Sequence, residues 1–130
     1  MRQITENWWI DVDKSFGHRI EDGSIVFWKP GRTIWINCWG DGVSPTKAEA
    51  LAGILEDADP HRRQIADEDD NEVYRFIYSL VEEDGSAIRY AVYLFAIVDG
   101  EYLQIGVYVD ALDDLAWAVY FAKSPIFQKA

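Results

Sequence analysis

The sequence predicts an α+β domain: an antiparallel sheet of about five to six strands with two helices packed on it, in the order β-β-β-α-β-β-β-α. Three observations predict it. Residues 73–109 keep a period of two through three runs separated by Asp84-Gly85 and Asp99-Gly100. Residues 24–39 are two β-rich runs around a Pro-Gly turn, and two further segments carry apolar residues at helical spacing.

Taken in order, WWIDV (8–12) alternates well enough for a first strand, and DKSFGHRIEDG reads as a polar connection. SIVFW (24–28) and TIWINCW (33–39) then form a hairpin through KPGR (29–32), where Pro30 and Gly31 suit the central positions of a type II turn. Ser44 and Pro45 supply an N-cap and a first helical residue, and Ala48, Leu51, Ala52, Leu55 and Ala58 form a stripe that Pro60 ends. HRRQIADEDDNE follows as an acidic crossover without period. VYRFIYSLV, AIRYAVYLFAIV and YLQIGVYV are the meander strands, and Asp110 caps a second helix, ALDDLAWAVYFAK, with Leu112, Leu115, Ala116 and Val119 facing in. At 130 residues the chain has the length of one domain, 1–130, able to bury about two-thirds of its unfolded surface.

Two-residue turns fix register. With Asp84-Gly85 and Asp99-Gly100 as the loops, Val81 faces Ile88, Ile77 faces Val92, Val98 faces Glu101 and Leu94 faces Ile105. One sheet face is then aliphatic: Val73, Ile77, Val81, Ile88, Val92, Leu94, Ala96, Leu103, Ile105 and Val107, joined by Ile25, Phe27, Ile34, Ile36 and Cys38. The other carries rings, among them Trp28, Trp35, Trp39, Tyr74, Phe76, Tyr78, Tyr93, Phe95, Tyr102 and Tyr108, with Arg89 and Gln104 between them. No Asp or Glu falls mid-strand on that ring face. Either the rings are core beneath a helix, or part of the face stays open as a platform. The covered reading takes precedence, since large aromatic side chains mostly serve burial.

Twenty-three acidic against twelve basic residues, a formal charge of −11, oppose nucleic-acid binding and anionic membranes, both of which call for Lys and Arg. The opening MRQITENWW lacks a secretory apolar run, no stretch is long enough for a membrane helix, and one cysteine makes no internal disulfide. A cytoplasmic setting is therefore expected.

Chemistry-bearing clusters are sparse. His18 and His61 are far apart, and Cys38 stands alone, read as a small buried hydrophobe, so no metal, cofactor or catalytic residue is assigned. The Asp11-Asp13-Ser15 and Asp67-Asp69-Asn71 spacings resemble the start of a calcium loop but fail at its sixth and twelfth positions. Two surfaces remain for recognition: the acidic run of Asp67, Glu68, Asp69, Asp70 and Glu72, and the outer side of the second helix, Asp113, Trp117 and Tyr120. Cover of Trp117 by the chain itself is favoured over cover by a partner or by a second copy in a homodimer.

The hairpin SIVFWKPGRTIWINCW, the helix SPTKAEALAGILED and the terminal LDDLAWAVYFAKSPIF together resemble the sandwich superfamily that includes the photosystem II extrinsic protein P, the Ran-release import factor and many small bacterial proteins. The resemblance implies a largely non-enzymatic role in binding partner proteins, with bacterial immunity or accessory proteins among its members. The expected function is thus a non-catalytic acidic module that binds a basic protein. The alternative is a binder of carbohydrates or aromatic metabolites, or an enzyme, that uses Trp28, Trp35, Trp39, Tyr93, Phe95 and Arg89.

Overall fold

A computed structural model describes all 130 residues, the side chain of Asp84 excepted. The chain is α+β, as expected, but richer in strands. Its main sheet has seven antiparallel strands: β3 (Gly17–Glu21), β4 (Ser24–Lys29), β5 (Arg32–Trp39), β6 (Arg63–Asp69), β7 (Tyr74–Asp84), β8 (Ala87–Val98) and β9 (Glu101–Val109), ordered β3-β4-β5-β9-β8-β7-β6. A smaller sheet joins β1 (Arg2–Gln3), β2 (Trp8–Ile10) and β10 (Ile126–Phe127). Helix α1 (Lys47–Asp57) lies over the ring-bearing face. Helix α2 (Leu115–Lys123) and the small sheet close the aliphatic one.

Four strands go unpredicted in the sequence: the short β1 and β10 of the small sheet, and the two edges of the large sheet. GHRIE, read as polar connection, is β3, and RQIADED, read as crossover, is β6. Their residues are mostly exposed, so neither carries the alternation that marks a half-buried strand. Charged side chains on an edge also discourage pairing with another chain. The turn joining β3 to β4 is Asp22-Gly23, with φ of 51° and 84°, the doubly positive pattern that two-residue hairpins favour.

The other turns behave differently. Gly31 has φ of 80° with Lys29 opposite Arg32, as the Pro-Gly reading requires. Val98 faces Glu101 and Leu94 faces Ile105, also as expected. At the β7–β8 turn, however, Asp84 pairs with Ala87, so the loop is Gly85-Ser86 with glycine in its first place at φ of 64°. Val81 therefore faces Tyr90 instead of Ile88, and Ile77 faces Leu94 instead of Val92. A slide of two residues preserves the side on which every residue lies, so the sorting into two faces survives.

Helix α1 starts later than Ser44 suggests. Thr46 is the N-cap and forms a reciprocal capping box with Glu49, while Ala50 and Ile54 are the buried residues and Leu51 and Ala58 are partly so. Leu55 is 42% exposed and Ala48 and Ala52 face solvent. Apolar residues run almost all round this helix, so spacing alone could not choose its inner side. In the second helix the first turn is a 3-10 segment, Leu112–Asp114, without a side-chain cap from Asp110, and burial falls on Ala118, Phe121 and Ala122 in place of Leu112 and Ala116.

Backbone contact sets the position of α1. Gly42 N donates to Gly100 O (3.0 Å) and Gly100 N to Pro45 O (2.8 Å), which docks the segment before the helix on the β8–β9 turn. A Cβ on Gly40 would come within 2.2 Å of Gly100 O, and one on Gly100 within 2.5 Å of the Gly42 backbone. Both glycines also have positive φ, so no other residue fits this crossing without strain.

Candidate recognition face and cleft

The ring-bearing face divides into a covered part and an open part. Beneath α1 lie Phe76, Tyr78, Phe95 and Ile97, packed on Ala50 and Ile54. Beyond the helix the strands β3, β4 and β5 continue the same face, and Trp28 (39%) and Trp39 (50%) are exposed there. Trp35 is half-buried between them, over the fully buried Val26.

Local contacts hold these side chains in place. The Trp28 ring lies against Gly17, where a Cβ would approach it to 2.8 Å, and the Arg19 guanidinium sits 4.7 Å from its centre. Arg19 is itself paired with Glu21 (2.8 Å). Trp39 Nε1 donates to Gln104 Oε1 (3.0 Å), and Ser24 Oγ donates to Asn37 Oδ1 (2.6 Å). Towards the β7–β8 turn, Glu82 accepts from Arg89 Nη2 (2.9 Å) and Nε (3.1 Å) and from the Tyr93 hydroxyl. Arg89 also lies 4.1 Å over the Tyr108 ring, and Tyr93 meets Tyr108 edge-on at 5.8 Å. Burial, and then the bond to Glu82, push the Tyr93 phenol far up, so it stays a neutral donor.

Glu82 corrects the expectation that no carboxylate sits among the rings. It lies directly across from Arg89. With the register displaced by two, that pairing was hidden in the sequence, although the opposite charges would have been the signal.

Between α1 and the sheet runs a cleft of about 450 Å³. Its floor is Tyr78, Phe95 and Tyr102, with Gln104 at one end, and its helical wall carries Glu49, Gly53 and Asp57. Burial raises the phenol of Tyr102, and Asp57 adds to the effect. Burial likewise raises Tyr78. Glu49 lies below the usual carboxyl range because the Thr46 backbone N–H bonds its ionised form. Neither Glu49 nor Asp57 belongs to an ion pair among the described residues.

The residues named as ligand-binding from the sequence are therefore brought onto one face but not into one site. Trp28, Trp35 and Trp39 lie on the open part; Tyr93 packs on the covered rings, Arg89 is exposed on the same strand nearer the β7–β8 turn, and Phe95 is buried and belongs to the cleft floor. Asp67, Glu68 and Asp69 lie on edge strand β6, and Asp70 and Glu72 in the turn after it. Several of these carboxylates already have structural duties. Asp69 pairs with Lys47 (3.1 Å), and Asp70 accepts the Val73 and Glu72 N–H groups and meets Arg75 at 3.3 Å.

On α2, Trp117 is covered by its own chain, stacked on Phe16 (5.9 Å) and Phe121 (5.7 Å) with the Arg32 guanidinium 4.2 Å from its ring. Asp113 and Tyr120 remain exposed. Cys38 lies on the aliphatic side as its register demands, but it is exposed at the strand end instead of buried. Partial burial of the sulfur, with Glu101 nearby, pushes the thiol up to about 11 and makes it a poor nucleophile. No helix is long and apolar enough to cross a membrane.

No family model matches the sequence, and no curated protein does. Among solved structures, a chain from Bacteroides thetaiotaomicron VPI-5482 determined at 1.50 Å is similar over 94% of this chain, with a TM-score of 0.70 and 9% identity. The match covers 45% of that longer chain, so this chain spans less than half its length. At this identity the likeness establishes a shared fold and nothing about chemistry.

Proposed function

We propose that the chain is an acidic recognition module that binds a basic protein through the open part of its ring-bearing sheet face. The observation that carries this reading is the exposure of Trp28 and Trp39 on a face otherwise built of packed aromatics. Partly exposed indoles held by neighbouring side chains are typical anchors of protein interfaces, because they bring large contact area at low entropic cost. The charge of −11 supplies the sign of the partner: a basic surface is drawn to it, and an acidic one is repelled. Such a role agrees with the sandwich-superfamily resemblance, and an immunity or accessory function in a bacterial cytoplasm is its most specific form.

Co-purification at low salt, followed by titration of each captured protein, tests the proposal. The expected partner is basic, binds more weakly as salt rises, and loses roughly tenfold or more in affinity to Trp39→Ala. Recovery of acidic partners only, or indifference to both Trp28→Ala and Trp39→Ala, overturns it.

The same exposed indoles favour a second reading, a carbohydrate or aromatic metabolite lying on the rings. Tryptophan fluorescence against a panel of sugars and aromatic acids separates the two. A saturable change lost in Trp28→Ala supports the small ligand.

A further inference from the structure

The aromatic tier under α1 is bordered by cations that belong to the chain itself. Arg62 lies 5.9 Å over Phe76, Arg89 lies 4.1 Å over Tyr108 and Arg19 lies 4.7 Å over Trp28. Among the described residues, no such cation covers Tyr78, Phe95 or Tyr102, the rings that floor the cleft. On the helical wall beside Tyr102 stands the carboxylate of Asp57, which acts on that phenol, whereas Glu49 is turned back to the Thr46 N–H (3.2 Å). Of the nearby cations, Lys47 pairs with Asp69 (3.1 Å), and Arg62, which donates to the Asp59 carbonyl (3.1 Å), brings its charge to Tyr78 but not to Tyr102. A floor of ring faces beside a carboxylate attracts a positive charge from both sides.

Gly53 adds an independent observation. It occupies the middle of α1, where glycine is among the least suitable residues, and its φ is ordinary. A Cβ there would meet nothing within 4 Å. Packing therefore does not demand glycine, and its effect is to keep the helical wall of the cleft low. The volume, about 450 Å³, suits a small organic molecule.

From this arrangement we infer that the cleft between α1 and the sheet is a binding site for a primary alkylammonium group. The alkyl chain lies on Tyr78, Phe95 and Tyr102, and the ammonium is held between the Tyr102 ring and the carboxylate of Asp57. Gln104, whose Oε1 accepts from Trp39 Nε1, leaves its amide donors at the end of the cleft. The site goes beyond the partner reading, because it takes a small cation whether or not a protein covers the outer tryptophans.

The test uses the whole chain with its tyrosine rings labelled for NMR, titrated with n-butylammonium chloride and, as an uncharged alcohol one heavy atom longer, 1-pentanol. Butylammonium is expected to shift the Tyr78 and Tyr102 resonances saturably and pentanol to shift them far less. Asp57→Asn keeps the shape and removes one charge, and should weaken binding about fivefold, as an exposed charge pair in water allows. Gly53→Leu should fill the cleft from the helix and abolish binding while leaving the melting temperature undiminished.

A lysine tripeptide with blocked termini forms the second arm. Tighter binding than butylammonium assigns the cation to a protein side chain, and equal or weaker binding assigns it to a free amine. Equal shifts with pentanol, or unchanged affinity in Asp57→Asn, overturn the site. Loss of butylammonium binding leaves capture of a basic protein by Trp28 and Trp39 unaffected, so the two proposals fail separately.

Discussion

The two faces of the large sheet are built from the same strands, yet one is closed except towards the β7–β8 turn, where Val81 and Ile88 are exposed, and the other is half open. On the aliphatic face Ile34, Leu94, Leu103, Ile105 and Val107 are fully buried beneath α2 and the small sheet, whose Trp8 is also inaccessible and donates its indole N–H to Glu101 (2.7 Å). The ring-bearing face has only the eleven residues of α1 as a lid, and that helix touches it through Ala50 and Ile54. Over most of that face branched aliphatic side chains interlock closely with the helix. Rings stand tall, keep a helix away from the sheet at their edges, and bear polar tips that tolerate water. One face thus stabilises the fold, and the other can be offered to something else.

The strongest way to break that contrast is to cut one residue from the sealed face. Leu94→Ala should cost about 2–5 kcal/mol in urea unfolding, through lost transfer energy and the cavity left behind. A cost near zero would mean that this face is not the core. Next comes Gly100→Ala, expected to cost about 3 kcal/mol, because a left-handed residue and a backbone contact are strained together. Its effect should appear as loosening of α1, read by hydrogen exchange, with the sealed face protected as before.

Gly53→Ala has the opposite sign. With nothing near its Cβ, it should raise stability by up to about 1 kcal/mol, and a decrease would show that the helix cannot accept a side chain there. Trp39→Ala on the open face should change stability by less than about 1 kcal/mol, since half of the residue is in water and its indole bond to Gln104 is exposed.

The smallest effect is in the response to acid. Asp41, Glu49 and Asp70 lie below the ordinary carboxyl range, held there chiefly by backbone N–H groups of Ser44, Thr46 and Val73 respectively. Their folded values are lower than their unfolded ones, so their contribution is complete above about pH 5 and is lost as pH falls through the folded values. Thermal melts should be level from pH 7 to about 5 and decline below that. Asp70→Asn should make the acid decline shallower, without moving the sealed face.

The residues that were legible in advance share one property, a local cause. Lys29-Pro30-Gly31-Arg32 and Asp99-Gly100 set their registers within four residues, and alternation along β8 and β9 then sorted Leu94 from Phe95 and Leu103 from Tyr102. Edge strands β3 and β6 left no such trace, because a strand with water on most sides has no buried period to read. Gly85-Ser86 was misread by one position since Asp-Gly also satisfies hairpin chemistry, and that slip concealed the Glu82–Arg89 pair while leaving every residue on its correct side.

By itself, then, the sequence determined an acidic α+β chain whose antiparallel strands divide aliphatic from aromatic side chains, because turns and a period of two act over a few residues. Only the tertiary structure decided which rings α1 covers, that Trp117 is stacked between Phe16 and Phe121, and that Asp57 stands beside Tyr102 on the wall of an aromatic cleft. Those outcomes depend on where a helix with apolar residues on nearly every side comes to rest. Contacts between segments distant in sequence, above all the glycine crossing of Gly40 and Gly42 with Gly100, settle that position.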